Sequence, residues 1–410
     1  MTLHPREASR DRRYTRSQNE DEEQRATALE LFYDLVFVLA ITQISHHLIA
    51  NLTVQGAAES LLLLLVVWWS WNYTVWVTNE LDPESPAVRG LMIALMLAGL
   101  LMAVAIPEAF GARAGLFVAA YLSIQIGRHA FLTFAAAPAG SPERERAARI
   151  LAWFCVAGCF WVAGAIADGP VRTGLWVTAL LIDYVAPATS FWIPGRRQIG
   201  NGAWEVETAH FSERFALFII IALGESIVVT GATTAQLTLT PVRLLAFAGA
   251  FLSTAALWWM YFARLAELAH NELAQADDRT SMARDAYTYL HALLVVGVIV
   301  SAVGDELVIA HPGGAMTTPQ IATVVAGPAI YLAAHTLFRR RLTGTANLRR
   351  LAGAAACVAV GLVAGGLPAL ALSLAVLLIL WGVVVADYLV SGRHVDHAAG
   401  ETPPGWSAPA

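Results

Sequence analysis

Apolar runs alternate with short polar connections along most of the chain. Each run is near the ~20 residues that a helix needs to cross a bilayer. The runs are continuous and lack two-residue alternation, which favours helices over barrel strands. The pattern predicts an all-α polytopic membrane protein with about twelve transmembrane helices, at 29–50, 58–78, 88–107, 114–134, 147–167, 171–191, 209–232, 241–263, 285–309, 319–338, 347–366 and 368–390.

The polar segments divide the chain. We expect disordered cytoplasmic tails at 1–27 and 391–410, and a cytoplasmic linker at 193–208 between a first half, 28–192, and a second half, 209–390. Only 14% of the residues are charged, against roughly 25% in soluble domains. No basic groove with interleaved aromatic residues suggests nucleic acid, and the three cysteines lack a zinc spacing. The expected partner is the lipid bilayer, with no nucleic acid, metal or cofactor, and a homo-oligomer is left open.

The basic residues are distributed asymmetrically about the predicted spans. All 26 are arginine, and 21 of them lie in the two tails or the even-numbered loops, whereas three lie in the odd-numbered loops. Basic loops stay on the cytoplasmic side of a membrane. The asymmetry therefore predicts a multi-pass protein of the cell membrane with an even number of spans and both termini in the cytoplasm.

Short motifs recur in the same order in the two halves. Because six spans are an even number, two six-helix halves would have the same orientation, which is a parallel repeat. The sequence therefore predicts two parallel six-helix repeats. The five matching motifs are Glu30 and Phe32 with Glu213 and Phe215, Trp68–Trp69 with Trp258–Trp259, Pro107–Glu108 with Gly304–Asp305–Glu306, Tyr121–Leu122 with Tyr331–Leu332, and Asp183–Tyr184 with Asp387–Tyr388.

Ionisable side chains within the spans are the candidate functional residues, because charge in a bilayer is costly and often marks an ion path. Asp34 lies one turn deeper than Glu30, and Glu225 lies near the middle of its span. Structural explanations stay open: the helix dipole favours an acid at Glu30, and Glu213 could pair with Arg214. The primary candidates are Glu30, Asp34, His210, Glu213, Arg214 and Glu225; the secondary candidates are Asp183, His291, His335 and Asp387.

Two segments resemble the bacterial low temperature requirement A (LtrA) family. They are E-L-F-Y-D-L-V-F-V-L-A-I-T-Q-I-S at 30–45 and H-F-S-E-R-F-A-L-F-I-I-I-A-L-G-E-S-I at 210–227. The resemblance extends over the membrane region, implies a multi-pass bacterial membrane protein, and includes all six primary candidates. A fainter similarity, from Phe32 to Thr42, is to the first-helix motif of a two-repeat potassium channel family, from which Tyr33 and Leu217 depart. This second similarity suggests cation conduction.

Three classes of function fit these features. The first is a transporter or channel for a cation or a proton-coupled small solute. The second is a non-transporting structural or sensory membrane protein in low-temperature growth. The third is a membrane-embedded metal or cofactor enzyme using His210, Glu213, His291 and His335. No hydrolase, phosphate-loop or dinucleotide motif is present, so no catalytic residue is predicted and the first class is favoured.

Overall fold

The computed structural model describes Tyr14, residues 25–197 and residues 206–400, with side chains as far as residue 389. Most of the predicted N-terminal tail, half of the predicted C-terminal tail and half of the predicted linker lie outside these residues. Within them the regular secondary structure is helical. The twelve helices are α1 (Ala28–Ala50), α2 (Val54–Thr78), α3 (Pro86–Ala105), α4 (Ala114–Phe131), α5 (Pro142–Ile166), α6 (Gly169–Ala188), α7 (Thr208–Ala235), α8 (Pro241–Gln275), α9 (Arg279–Ala310), α10 (Thr318–Thr343), α11 (Leu348–Val363) and α12 (Ala369–Gly400).

Nine helices in the described part of the chain are long and apolar enough to cross a membrane. The other three are α4, α6 and α11. Helix α11 has only 16 residues, while Arg128 in α4 and Asp183 in α6 are buried polar positions that lower the apolar character of their helices. The prediction of an all-helical multi-pass membrane protein is confirmed, whereas twelve crossings in two repeats remain a prediction.

The outer surface of the bundle is rich in large apolar side chains. Leu97 is 60% exposed, Phe134 70% and Leu378 73%. Such a surface would be a liability in water, but in a bilayer it contacts lipid tails of the same polarity. The outward faces therefore suit contact with lipid.

Polar residues just before the helices account for where several of them begin. Thr53, Ser141 and Thr240 each accept a hydrogen bond from a backbone N–H in the first turn of α2, α5 and α8. Thr27 does so for α1 and forms a capping box with Glu30. These side chains satisfy N–H groups that have no partner within the helix.

Helices α9 and α10 make a close contact through glycine. A Cβ atom on Gly327 would lie 2.3 Å from the backbone nitrogen of Ser301, and one on Gly297 would lie 2.7 Å from that of Tyr331. Small residues let two helix backbones approach, which is a common basis of helix association in membranes. These glycines bring the backbones of α9 and α10 close together.

The centre of the molecule lies where α1 and α2 of the first half meet α7 and α9 of the second. Helix α2 is the most enclosed of the nine spans, since 83% of its most apolar stretch is buried. Its Trp68 Nε1 donates to the backbone oxygen of Thr288 at 2.8 Å, across the boundary between the halves. The primary candidates, which lie on α1 and α7, are at the same boundary.

Candidate functional site

Helices α1 and α7 lie side by side and run in the same direction. Side-chain contacts join them, and from Glu30–His210 through Asp34–Arg214 to Thr42–Glu225 the residue numbers on both helices rise together, as only parallel helices allow. A further contact joins Ala26, just before α1, to Glu213. The pairs are Ala26 N with Glu213 Oε2 at 2.8 Å, Glu30 Oε1 with His210 Nε2 at 2.9 Å, Asp34 Oδ1 with Arg214 Nη2 at 2.5 Å, and Thr42 Oγ1 with Glu225 Oε1.

Four of the six primary candidates form one buried group, here called the ionic cluster: Glu30, Asp34, His210 and Arg214. All four side chains have no exposed surface. Arg214 lies between the two acids, with Nη1 3.1 Å from Glu30 Oε1 and Nη2 2.5 Å from Asp34 Oδ1. One guanidinium group therefore forms ion pairs with two carboxylates.

Neighbouring groups hold the two acids in place. The backbone N–H and the hydroxyl of Thr27 donate to Glu30 Oε2 at 2.9 and 2.8 Å. Trp71 of α2 donates its indole N–H to Asp34 Oδ1 at 2.8 Å. Asp34 Oδ2 is buried and has no hydrogen-bond partner among the described residues. The cluster thus contains one carboxylate oxygen that could still accept a proton or contact a cation.

His210 is the member whose charge can balance the cluster. Two carboxylates against one guanidinium leave one negative charge, which a second proton on the imidazole would cancel. The ring nitrogens face two oxygens, Glu30 Oε1 at 2.9 Å from Nε2 and Asn79 Oδ1 at 3.3 Å from Nδ1. With both oxygens as acceptors, each contact is a hydrogen bond when the ring nitrogen concerned carries a proton.

The other two primary candidates lie outside the ionic cluster. Glu213 is half-buried and accepts from the backbone N–H of Ala26, while its neighbour Arg214 contacts the acids of α1 instead. Glu225 is 3% exposed and accepts a hydrogen bond from Thr42. It follows Arg214 by eleven residues, or about 16 Å along an α-helix, so the six candidates do not share one site.

A second buried network contains one secondary candidate, Asp183. Tyr121 donates to Asp183 Oδ2 at 2.7 Å and accepts from Gln125 Nε2 at 3.2 Å. Gln125 in turn accepts from Arg128, whose Nη1 donates to Thr74 Oγ1 at 2.7 Å. The network continues to α1, because the hydroxyl of Tyr33, next to Asp34 in sequence, donates to Thr74 Oγ1 at 2.8 Å.

His291 lies among aromatic rings and has no polar partner for either nitrogen among the described side chains. It is stacked on the rings of Trp68 and Tyr287, with centroid separations of 6.1 and 6.0 Å. It is fully buried. Its surroundings are those of a packing residue.

The remaining secondary candidates have partners elsewhere. His335 Nε2 lies 3.1 Å from the backbone oxygen of Met260. Asp387 accepts from Arg349 Nε at 2.9 Å and Arg350 Nε at 2.8 Å, which ties the start of α11 to α12. Neither residue contacts the ionic cluster through these bonds, so the secondary candidates are dispersed.

Several site residues were absent from the sequence-based candidates. Trp71 and Asn79 lie in or just after an apolar span and carry no charge, so nothing in the pattern marks them. Arg128 does have a signal, because it is an arginine deep in a predicted span. It is fully buried and has no ion-pair partner within the described chain.

No group of three or more His, Cys, Asp and Glu side chains among the described residues is arranged to hold a metal ion.

An all-helical bundle with an apolar surface and a buried ionic cluster defines a multi-pass integral membrane protein. Residues 25–385 match the family described as bacterial low temperature requirement A protein (LtrA), and the chain belongs to that family. An uncharacterized protein of Rhizobium meliloti (strain 1021) is 34% identical over 343 residues, which cover 83% of each chain. No solved structure matches. The predicted LtrA membership is confirmed, and the potassium-channel similarity finds no support in these matches.

Proposed function

We propose that this LtrA-family protein is a transporter or channel for a cation or a proton-coupled small solute. The observation that carries the proposal is the ionic cluster, four ionisable side chains without exposed surface at the contact between α1 and α7. Charge enclosed in a membrane protein is costly and usually serves ion or proton movement.

Stability alone is a poor explanation of the cluster. A buried ion pair can often be replaced by apolar side chains with little loss of stability, because desolvation offsets the attraction between the charges. A proton or cation path makes use of the same groups. His210 can gain or lose a proton, and Asp34 Oδ2 has no partner among the described residues. Glu225, farther along α7, is another acid in contact with α1, because it accepts a hydrogen bond from Thr42.

The contacts between helices support two parallel six-helix repeats. Helix α1 contacts α2 and α3, as α7 contacts α8 and α9, and the pairs α3–α4, α4–α5 and α5–α6 match α9–α10, α10–α11 and α11–α12. Glu30 reaches the start of α7, and its counterpart Glu213 reaches Ala26, two residues before α1. Each repeat of six helices would return the chain to the side on which it started. Two such repeats therefore agree with both termini lying in the cytoplasm.

Flux through reconstituted vesicles tests the proposal. The purified protein would be placed in liposomes containing a pH-sensitive dye, and K⁺, Na⁺ and proton gradients would be applied in turn. We expect a flux that Asp34→Asn and Glu225→Gln each reduce. Glu108→Gln is the matched control, because the Glu108 side chain is 51% exposed.

The size-exclusion profile of each variant distinguishes a loss of transport from a loss of folding. Asp34→Asn keeps an oxygen that can accept from Trp71, so the folded protein is expected to persist. Flux equal to that of the original protein in both variants would refute the assigned path. If the original protein shows no flux of K⁺, Na⁺ or protons, the proposal that it conducts these ions is refuted.

A non-transporting structural or sensory role is the second candidate. It is favoured by the enclosure of the ionic cluster, whose two carboxylates both contact Arg214. In that case no gradient would produce flux, while replacement of Arg214 would still destabilise the protein. The enzyme class has less support, since His210 and Glu213 have different partners and His291 lies among aromatic rings.

A further inference from the structure

Five arginines lie close together in the chain where α10 ends and α11 begins. We call them the arginine patch: Arg339, Arg340 and Arg341 near the end of α10, and Arg349 and Arg350 in the first turn of α11. The sequence has no acidic residue between Glu306 and Asp387. The counter-charge for the patch must therefore come from other helices or from another molecule.

Two carboxylates of other helices pair with part of the patch. Asp285 of α9 accepts from Arg341 at 3.0 Å and also from Arg284 at 2.8 Å. Asp387 of α12 accepts from the two arginines of α11 at 2.9 and 2.8 Å. The other two arginines of α10 form no ion pair with a described carboxylate. Because each acid is shared by two guanidinium groups, the patch keeps an excess of positive charge among the described residues.

The patch lies at the level where two apolar spans end. Helix α10 ends at Thr343, two residues after Arg341. The apolar part of α12 ends at Leu389, two residues after Asp387. The ion pairs between Asp387 and the start of α11 bring these ends together. Since a span of this kind crosses the hydrocarbon core, its end lies at the level of the phospholipid headgroups.

Exposed apolar side chains accompany the exposed arginines. Arg340 is exposed, and the side chain of Arg349 is 41% exposed. Leu348, next to Arg349, is 73% exposed, and Leu351 is 39% exposed. A guanidinium group binds phosphate through paired hydrogen bonds, and leucine surface matches lipid tails in polarity. A phosphate that carries acyl chains suits both kinds of side chain, whereas a free phosphate would leave the leucines uncovered.

We infer that the arginine patch binds an anionic phospholipid. The headgroup phosphate would contact the exposed guanidinium groups of Arg340 and Arg349, and the acyl chains would lie against Leu348 and Leu351. Clusters of basic residues next to a membrane span recognise anionic headgroups in this way. The inference is independent of transport, because no residue of the patch belongs to the ionic cluster.

The test is native mass spectrometry of the purified full-length protein in detergent, with each probe added in steps. Dioleoylphosphatidylglycerol is the anionic lipid, and dioleoylphosphatidylcholine has the same acyl chains without net charge. Glycerol 3-phosphate carries a phosphate without acyl chains, and a hexaglutamate peptide carries negative charge on a protein chain. The comparison separates an anionic-lipid site from a soluble-phosphate site, a peptide site and non-specific lipid contact.

The key variant is the double change Arg340→Gln and Arg349→Gln. Both side chains are exposed, and Asp387 keeps its contact with Arg350, so folding is not at risk. The matched control is the double change Arg113→Gln and Arg196→Gln. It also removes two charges, from side chains that are 43% and 63% exposed, but these lie in the first half of the protein.

We expect the first phosphatidylglycerol molecule to bind more tightly than any of the other three probes. Each arginine beside an anionic headgroup strengthens binding by roughly fivefold. The double change in the patch should therefore weaken this binding by about thirtyfold, and the control variant should leave it unchanged. Three results would each overturn the inference: equal affinity for the two lipids, tighter binding of glycerol 3-phosphate or of the peptide, or equal affinity of the two double variants for phosphatidylglycerol.

Discussion

Replacing Arg214 by methionine would leave two buried acids without their cation. In the folded protein Arg214 lies 3.1 Å from Glu30 Oε1 and 2.5 Å from Asp34 Oδ1, and all three side chains lack exposed surface. Methionine is apolar and of similar length, so the change removes charge more than volume. The remaining acids would face each other within the protein.

The expected loss of stability is large. Removing one partner from a buried ion pair costs about 3–5 kcal/mol, because the other charge stays desolvated. That range corresponds to roughly a hundredfold to a few thousandfold in the folding equilibrium. The triple variant Arg214→Met, Glu30→Gln and Asp34→Asn removes all three charges together. It should regain most of the loss, since no buried carboxylate is left without a cation.

Equilibrium unfolding by SDS in mixed micelles, followed by tryptophan fluorescence, measures these differences. Arg113→Met is the control, because the Arg113 and Glu108 side chains are 43% and 51% exposed and their closest approach is 3.8 Å. An exposed pair of this kind contributes about 0–1 kcal/mol. The reasoning fails if Arg214→Met stays within that range, or if the triple variant is as unstable as the single one.

Two further predictions concern packing and topology. Gly327→Ala should destabilise the protein by about 1–3 kcal/mol in the same unfolding assay, because the added Cβ would lie 2.3 Å from Ser301 N. Gly127→Ala, with nothing within 4 Å of the added atom, should be neutral or slightly stabilising; an equal effect of both changes would contradict the close contact. In a background without the three native cysteines, a cysteine at Asn51 should react with an impermeant maleimide added outside intact cells. One at Glu84 should react only after the membrane is opened, and the reverse pattern would invert the predicted topology.

The sequence alone predicted the helices well. Apolar runs of about 20 residues form helices in a bilayer because only internal hydrogen bonds can satisfy their backbone groups there. That constraint is local, so it can be seen without knowing the neighbours of a segment. The two motif segments were also sufficient to indicate the family, which the match over residues 25–385 confirms.

The partners of the ionisable residues were less predictable. Glu213 and Arg214 are adjacent in sequence and suggested an ion pair, but successive residues of a helix point in different directions. Arg214 faces α1 and contacts its two acids, while Glu213 accepts from the backbone of Ala26. The sequence identified the right residue types without their pairing.

The sequence determined which segments are helices and which of them carry charge, because hydrophobicity and length act within a segment. The tertiary structure decided that Glu30, Asp34, His210 and Arg214 meet while Glu225 lies apart. It also paired Arg341 with Asp285, which is 56 positions away in the chain. The physical reason is that such contacts depend on how helices are rotated and placed against one another, and that arrangement follows from packing over the whole bundle.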